Sequence, residues 1–189
     1  MTAITDALAR LRAAVNDKLW VNPEYAQEFA VLSAWLSLLI PWSLTYGRLG
    51  SGGDAPYIFQ MRFPFVLVQY APDVPIIEAF QLRYAHELMQ LEGSSNAGLA
   101  TGFEVWFVGS LLLALAFLLS VVLYAEIDAL ERFRPIAPVR AMGVLLLLAA
   151  VAMTVSDYYL WHNMPGRQIP VFTVFYYVFA VALLSIEEP

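Results

Sequence analysis

Cysteine is absent from the 189 residues, lysine occurs once (Lys18) and histidine only at His86 and His162. Without thiols the chain forms no disulfide, no thiolate zinc site and no cysteine nucleophile. It has no His pair placed for haem ligation, no P-loop, no dinucleotide fingerprint and no Asn-x-Ser/Thr sequon. His86-Glu87 opens like a zinc-protease helix, but Gln90 stands where that chemistry needs its second histidine. Basic clusters are missing as well: the net charge is −6, which argues against nucleic acid as a partner because phosphate affinity rests on Lys and Arg. No metal, cofactor or catalytic residue is expected. The acidic, lysine-poor balance fits a high-salt setting, where excess surface charge keeps proteins apart.

Charge is also missing from long stretches. The chain is 60% apolar and 14% charged, against roughly half and a quarter in soluble domains. The apolar residues gather in four uncharged runs, 29–46, 105–125, 141–156 and 168–186, near the length that crosses a bilayer. The expected fold class is therefore an all-α membrane protein, a four-transmembrane-helix bundle with a small extracellular strand-plus-helix loop domain. Spans are placed at 27–46, 103–126, 139–161 and 169–186, and Pro41 should kink or end the first. Extracellular loops follow at 47–102 and 162–168, with a cytoplasmic loop at 127–138 and a cytoplasmic tail at 187–189.

Residues 1–26 place Ile4, Leu8, Leu11, Val15 and Leu19 at helical spacing and carry no secretory signal. A cytoplasmic amphipathic helix is expected there, with the first span as its own insertion signal. Arg10, Arg12, Lys18, Arg132, Arg134 and Arg140 fall on one side of the predicted bundle, and Arg48, Arg62, Arg83 and Arg167 on the other. By the positive-inside rule both termini are cytoplasmic, in a multi-pass plasma-membrane protein surrounded by lipids.

The segment 47–102 is too apolar for a linker. Residues 50–54 form a flexible turn. Tyr57, Phe59, Met61 and Phe63 then alternate with Ile58, Gln60, Arg62 and Pro64, the period of a half-buried strand, which 65–68 continues. Over 78–92, Phe80, Tyr84, Leu88 and Leu91 share a helical face with Ile77 just before it. Tyr57, Phe59, Phe63, Phe65, Tyr84 and Leu88 make up the candidate partner surface. Arg62 with Pro64 argues against a fifth span.

Asp157 and His162 are the candidate titrating group, with Tyr158 sharing the helix face of His162. The favoured alternative is an interfacial belt of Tyr158, Tyr159 and Trp161. Ser33 and Ser37 with Ala30 and Ala34, Gly109 with Ser110, and Ala149, Ala150 and Ala152 are small residues suited to close helix packing. Uncharged span centres argue against ion-coupled transport.

Leu32 to Ser43 (LSAWLSLLIPWS), Arg62-Phe63-Pro64-Phe65 and Pro138-Val139-Arg140-Ala141-Met142-Gly143 are together similar to haloarchaeal multi-span membrane proteins of unassigned function. That resemblance implies an archaeal plasma membrane and supplies no activity. In topology alone the chain resembles claudin-like four-span proteins, without their loop cysteines and tryptophan signature. The function expected is non-catalytic: protein–protein or self-association at the cell surface, as a homo-oligomer or a subunit of a membrane complex. Its rivals are a passive channel lined by Ser33, Ser37, Thr154 and Thr173, and a membrane enzyme using Asp157 and His162.

Overall fold

In the computed structural model, which describes residues 25–48, 55–72, 74, 78–92, 96–125, 138–164 and 166–186, the first apolar run is not one helix. Helix α1 (Ala26–Leu39) stops because Ile40, which precedes Pro41, is extended at φ −100° and ψ 135°. The chain then continues as strand β1 (Ser43–Arg48). Strands β2 (Tyr57–Arg62), β3 (Val66–Tyr70) and β4 (Phe80–Tyr84) follow, then helices α2 (Ala85–Glu92), α3 (Ala97–Tyr124) and α4 (Pro138–Asn163), strand β5 (Arg167–Ile169) and helix α5 (Thr173–Ser185). The strands form one antiparallel sheet in the order β4-β3-β2-β1-β5.

The expected all-α, four-transmembrane-helix bundle is therefore corrected. Among the described residues there are five helices and a five-stranded sheet, and only α3 and α4, of 28 and 26 residues, are long and apolar enough to cross a membrane. At 1.5 Å per residue they measure about 40 Å, whereas the 14 residues of α1 and 13 of α5 reach about 20 Å, short of a hydrocarbon core of about 30 Å. The four spans on which the claudin likeness rests are not what these residues form. The expected helix over 78–92 is also corrected, since Phe80–Tyr84 pairs with β3 and the helix begins at Ala85. Phe80, Leu82 and Tyr84 satisfy a period of two as well as Phe80, Tyr84 and Leu88 satisfy a helical one, and the open edge of β3 decides for the strand. The sheet also exceeds the predicted loop domain by recruiting β1 and β5. The amphipathic helix and the turn at 50–54 lie outside the described residues.

α3 and α4 pack antiparallel through small residues. A Cβ on Gly102 would fall 2.9 Å from a Leu160 methyl, and Ser156 Oγ donates to the Gly102 carbonyl at 2.8 Å. The lower half of this pair, toward the end of α3, is flanked by the two short helices. Trp35 Nε1 donates to Ser120 Oγ at 3.2 Å, and Tyr176 Oη donates to the Ser37 carbonyl at 3.0 Å. The upper half is covered by α2 and the sheet. The β2–β3 turn reaches down to α3, with the Phe65 amide donating to Ser110 Oγ at 3.2 Å and its ring edge-on to Phe107. Phe65 holds φ +67° after Pro64, a type II arrangement that usually takes glycine; these contacts fix it.

Gly166, at φ +110°, admits no side chain, because a Cβ would sit 3.0 Å from the Tyr46 carbonyl oxygen and 3.1 Å from Gly47 Cα. Gly166→Ala is expected to cost about 1–3 kcal/mol by straining the backbone where β5 joins the sheet. Thermal unfolding of the purified protein in detergent reads this directly.

Candidate functional site

The sheet has its polarity reversed. One row across its inner face reads Gln168, Thr45, Gln60, Gln69 and Gln81, successive partners from β5 to β4. The adjacent outer row reads Ile169, Leu44, Met61, Val68 and Leu82, and the next Arg167, Tyr46, Phe59, Tyr70 and Phe80. The first four polar residues are buried, while Ile169, Leu82, Tyr46, Tyr70 and Phe80 are exposed.

Behind the sheet the polar groups form one network. Arg62 on β2 donates through Nη1 to Thr45 Oγ1 at 2.6 Å and through Nη2 to Gln60 Oε1 at 2.9 Å, with the Met164 sulfur at 3.2 Å from Nη2. Gln60 Nε2 passes the chain on to Gln69 Oε1 at 2.9 Å. Ser43, the cross-strand partner of Arg62, donates to Asp157 Oδ1 on α4 at 2.8 Å. Arg62, Gln168 and Asp157 are 0%, 4% and 8% exposed, so the network is sealed between the sheet and the end of α4. Burial pulls the Arg62 guanidinium down to about 10, and the charge of Asp157 partly opposes that shift; Arg62 stays cationic at neutral pH. Arg62 Nε, Asp157 Oδ2 and both polar atoms of Gln168 have no hydrogen-bond partner.

The profile of a family of unknown function, DUF7549, matches residues 19–188. The chain belongs to that family. The DUF7549 match runs across every helix and strand described above, the polar row included. No curated protein matches the chain.

Within this DUF7549 chain the structure separates the candidate titrating pair. Asp157 turns inward to Ser43, whereas His162 is exposed, with Nδ1 2.8 Å from the Tyr158 carbonyl oxygen and its ring 4.4 Å from that of Tyr158. Of the candidate partner surface, Tyr57, Phe59 and Tyr84 lie on the outer face of the sheet, Phe63 is half-buried just past the end of β2, Phe65 is in the turn against α3, and Leu88 is buried in the core. The hydroxyls proposed to line a pore are engaged: Ser33 and Ser37 with their own helix carbonyls, Thr154 with Ala150 and Tyr177, and Thr173 with the Trp42 carbonyl. Arg62 and the glutamine row were missed from the sequence. Their signal was the recurrence of Gln or Arg at every second position in Gln60-Arg62, Gln81-Arg83 and again at Gln69 and Gln168.

Proposed function

We propose that the chain is a non-catalytic integral membrane protein with a structural or accessory role, crossing the bilayer with α3 and α4 and carrying the sheet as a rigid cap at one surface. The observation that carries this reading is the reversed polarity, hydrogen-bonding side chains sealed inward and apolar rows turned outward. The long helices agree with it. Only 33% and 44% of their most apolar windows are buried inside the protein, whereas the core helix of a water-soluble domain is mostly buried. Val108, Leu111, Leu115 and Leu118 on α3, and Val144, Leu148, Val151 and Val155 on α4, are exposed, while Gly102, Gly109, Ser110, Ala149 and Ala150 face inward. The small residues let the two helices approach among buried large side chains such as Trp106 and Met153, while those outward residues are large and apolar, as suits helices solvated by lipid.

A structural role is favoured because the buried charges act as braces between sheet and helix, and the Ser43 hydroxyl and Asp157 carboxylate that bond each other are sealed from solvent. Arg132, Arg134 and Arg140 occur between or at the ends of α3 and α4, which supports an orientation with that end in the cytoplasm and the sheet outside. The acidic, lysine-poor balance supports a high-salt setting. The test is cross-linking mass spectrometry in native membranes with carboxyl-reactive reagents, since Lys18 is the single lysine. Reproducible links to a second copy or to one membrane protein are expected. Good coverage with intramolecular links alone would overturn the accessory role.

A further inference from the structure

We infer that the outer face of the sheet is seated in one leaflet of the bilayer, its aliphatic row at the edge of the hydrocarbon and its aromatic row among the headgroups. This rests on the reading that α3 and α4 cross the membrane. Depth follows from the contacts. The uncharged window of α3, residues 105–125, is 21 residues long, about 31 Å and close to the hydrocarbon thickness. Its upper edge is Glu104, two residues past Gly102, which bonds Ser156 on α4; the next α4 residue, Asp157, bonds Ser43 at the base of β1. The base of β1 is therefore level with the edge of that window, and the β2–β3 turn, whose Phe65 amide bonds Ser110, reaches about 9 Å below it.

From there the strands run outward. At the base of this face Val66 pairs with the exposed Tyr84; the row Ile169, Leu44, Met61, Val68 and Leu82 comes next, and the row Arg167, Tyr46, Phe59, Tyr70 and Phe80 lies one strand repeat, about 7 Å, beyond it. The outermost pair is Arg48 and Tyr57, whose ring lies under the Arg48 guanidinium at 4.6 Å. Above the Val66–Tyr84 pair the face runs from aliphatic to aromatic with Arg167 and then to Arg48, the order a leaflet presents from acyl chain to carbonyl to phosphate. A protein-binding face is instead arranged concentrically, with an apolar centre and a polar rim, so the banding favours lipid over a second copy or a partner. The inner face agrees: with lipid outside, Gln60, Gln69, Thr45 and Arg62 find partners in one another behind the sheet, and Gln168 alone of the buried row has none.

The absence of cysteine allows single-site fluorophore labelling of the full chain in phosphatidylcholine–phosphatidylglycerol vesicles. Leu82→Cys reports the aliphatic row, Tyr70→Cys the aromatic row and Leu115→Cys the exposed middle of α3; Ile169→Cys replaces the first should that variant fail to fold. Nitroxide lipids are expected to quench the Leu115 label best from mid-acyl depth, and the Leu82 and Tyr70 labels best from progressively shallower positions. The Leu82 label should be quenched severalfold more by lipid than by aqueous iodide. Quenching of Leu82 by iodide, with Leu115 still reached from the acyl chains, would put the sheet in water and overturn the inference while leaving the spans intact. A Leu82 label shielded from both quenchers would mean that protein covers the face, which also overturns it. Failure of lipid quenchers to reach Leu115 would instead overturn the membrane reading beneath it.

Discussion

Asp157→Leu is expected to cost about 3–5 kcal/mol of stability and Arg62→Met about as much, while the double variant loses much less than the sum. Removing the aspartate leaves a fully buried guanidinium facing only neutral groups, Thr45, Gln60 and the Met164 sulfur. Removing the arginine strands the Asp157 carboxylate with Ser43 as its one hydrogen-bond donor and takes the donor from Gln60 Oε1. Either change buries an uncompensated charge, and the penalty belongs to the partner left behind. The double variant removes both charges, and the Gln60–Gln69 bond survives it. Asp157→Asn separates the two contributions, because it keeps an acceptor for Ser43 and loses only the charge; an intermediate effect is expected. Thermal unfolding in detergent or nanodiscs measures all four proteins. Additive losses would mean that the two residues do not act on each other, and the brace would have to be abandoned.

That result also bears on function. A charge pair that can be replaced together by apolar residues with little loss of stability is acting as a brace of the sheet against α4, in agreement with the structural role proposed above.

The long helices were legible in the sequence because an uncharged window bounded by Glu104 and Glu126, and another beginning after Arg140, leave little else for the chain to be. Pro41 was legible too, as the end of α1. What followed it was not. Ser43–Arg48 is uncharged up to its final arginine, and a hydropathy window reads the strand as the end of a span, although Thr45 and Tyr46 suit a strand. The strand at Tyr57–Arg62 was visible from its alternation, but which face turns inward was not. The rule that apolar residues point to the core assumes water on the other side. Here Ile58, Gln60 and Arg62 are buried and Tyr57, Phe59 and Met61 face out, so the period was right while the rule for choosing the inner face pointed the wrong way. Asp157 and His162, five residues apart, fall about 140° apart around a helix, so spacing alone separates them.

The second large effect is expected at Trp42, where Trp42→Ala should cost about 3 kcal/mol and detach the sheet from the helices before the helices separate from each other. Trp42 is fully buried at the break between α1 and β1. Its amide donates to the Arg62 carbonyl at 2.8 Å, and its own carbonyl accepts from the Phe172 amide at 3.2 Å, tying β2 to the start of α5. Its ring lies 6.1 Å from that of Trp106 on α3 at 46°. The backbone bonds survive truncation, but the ring that spaces sheet from helix does not, and a cavity opens beside the charged network. The figure sits at the low end of the usual range for losing a buried aromatic because, on the membrane reading proposed above, lipid solvates apolar groups better than water and removes much of the transfer contribution. Trp42→Phe should retain most of the stability. Hydrogen exchange distinguishes this from general loosening: amides of β1 and β2 should lose protection while those of α3 and α4 keep theirs. A uniform loss across both regions would show that sheet and helices unfold as one unit and that Trp42 is an ordinary core residue.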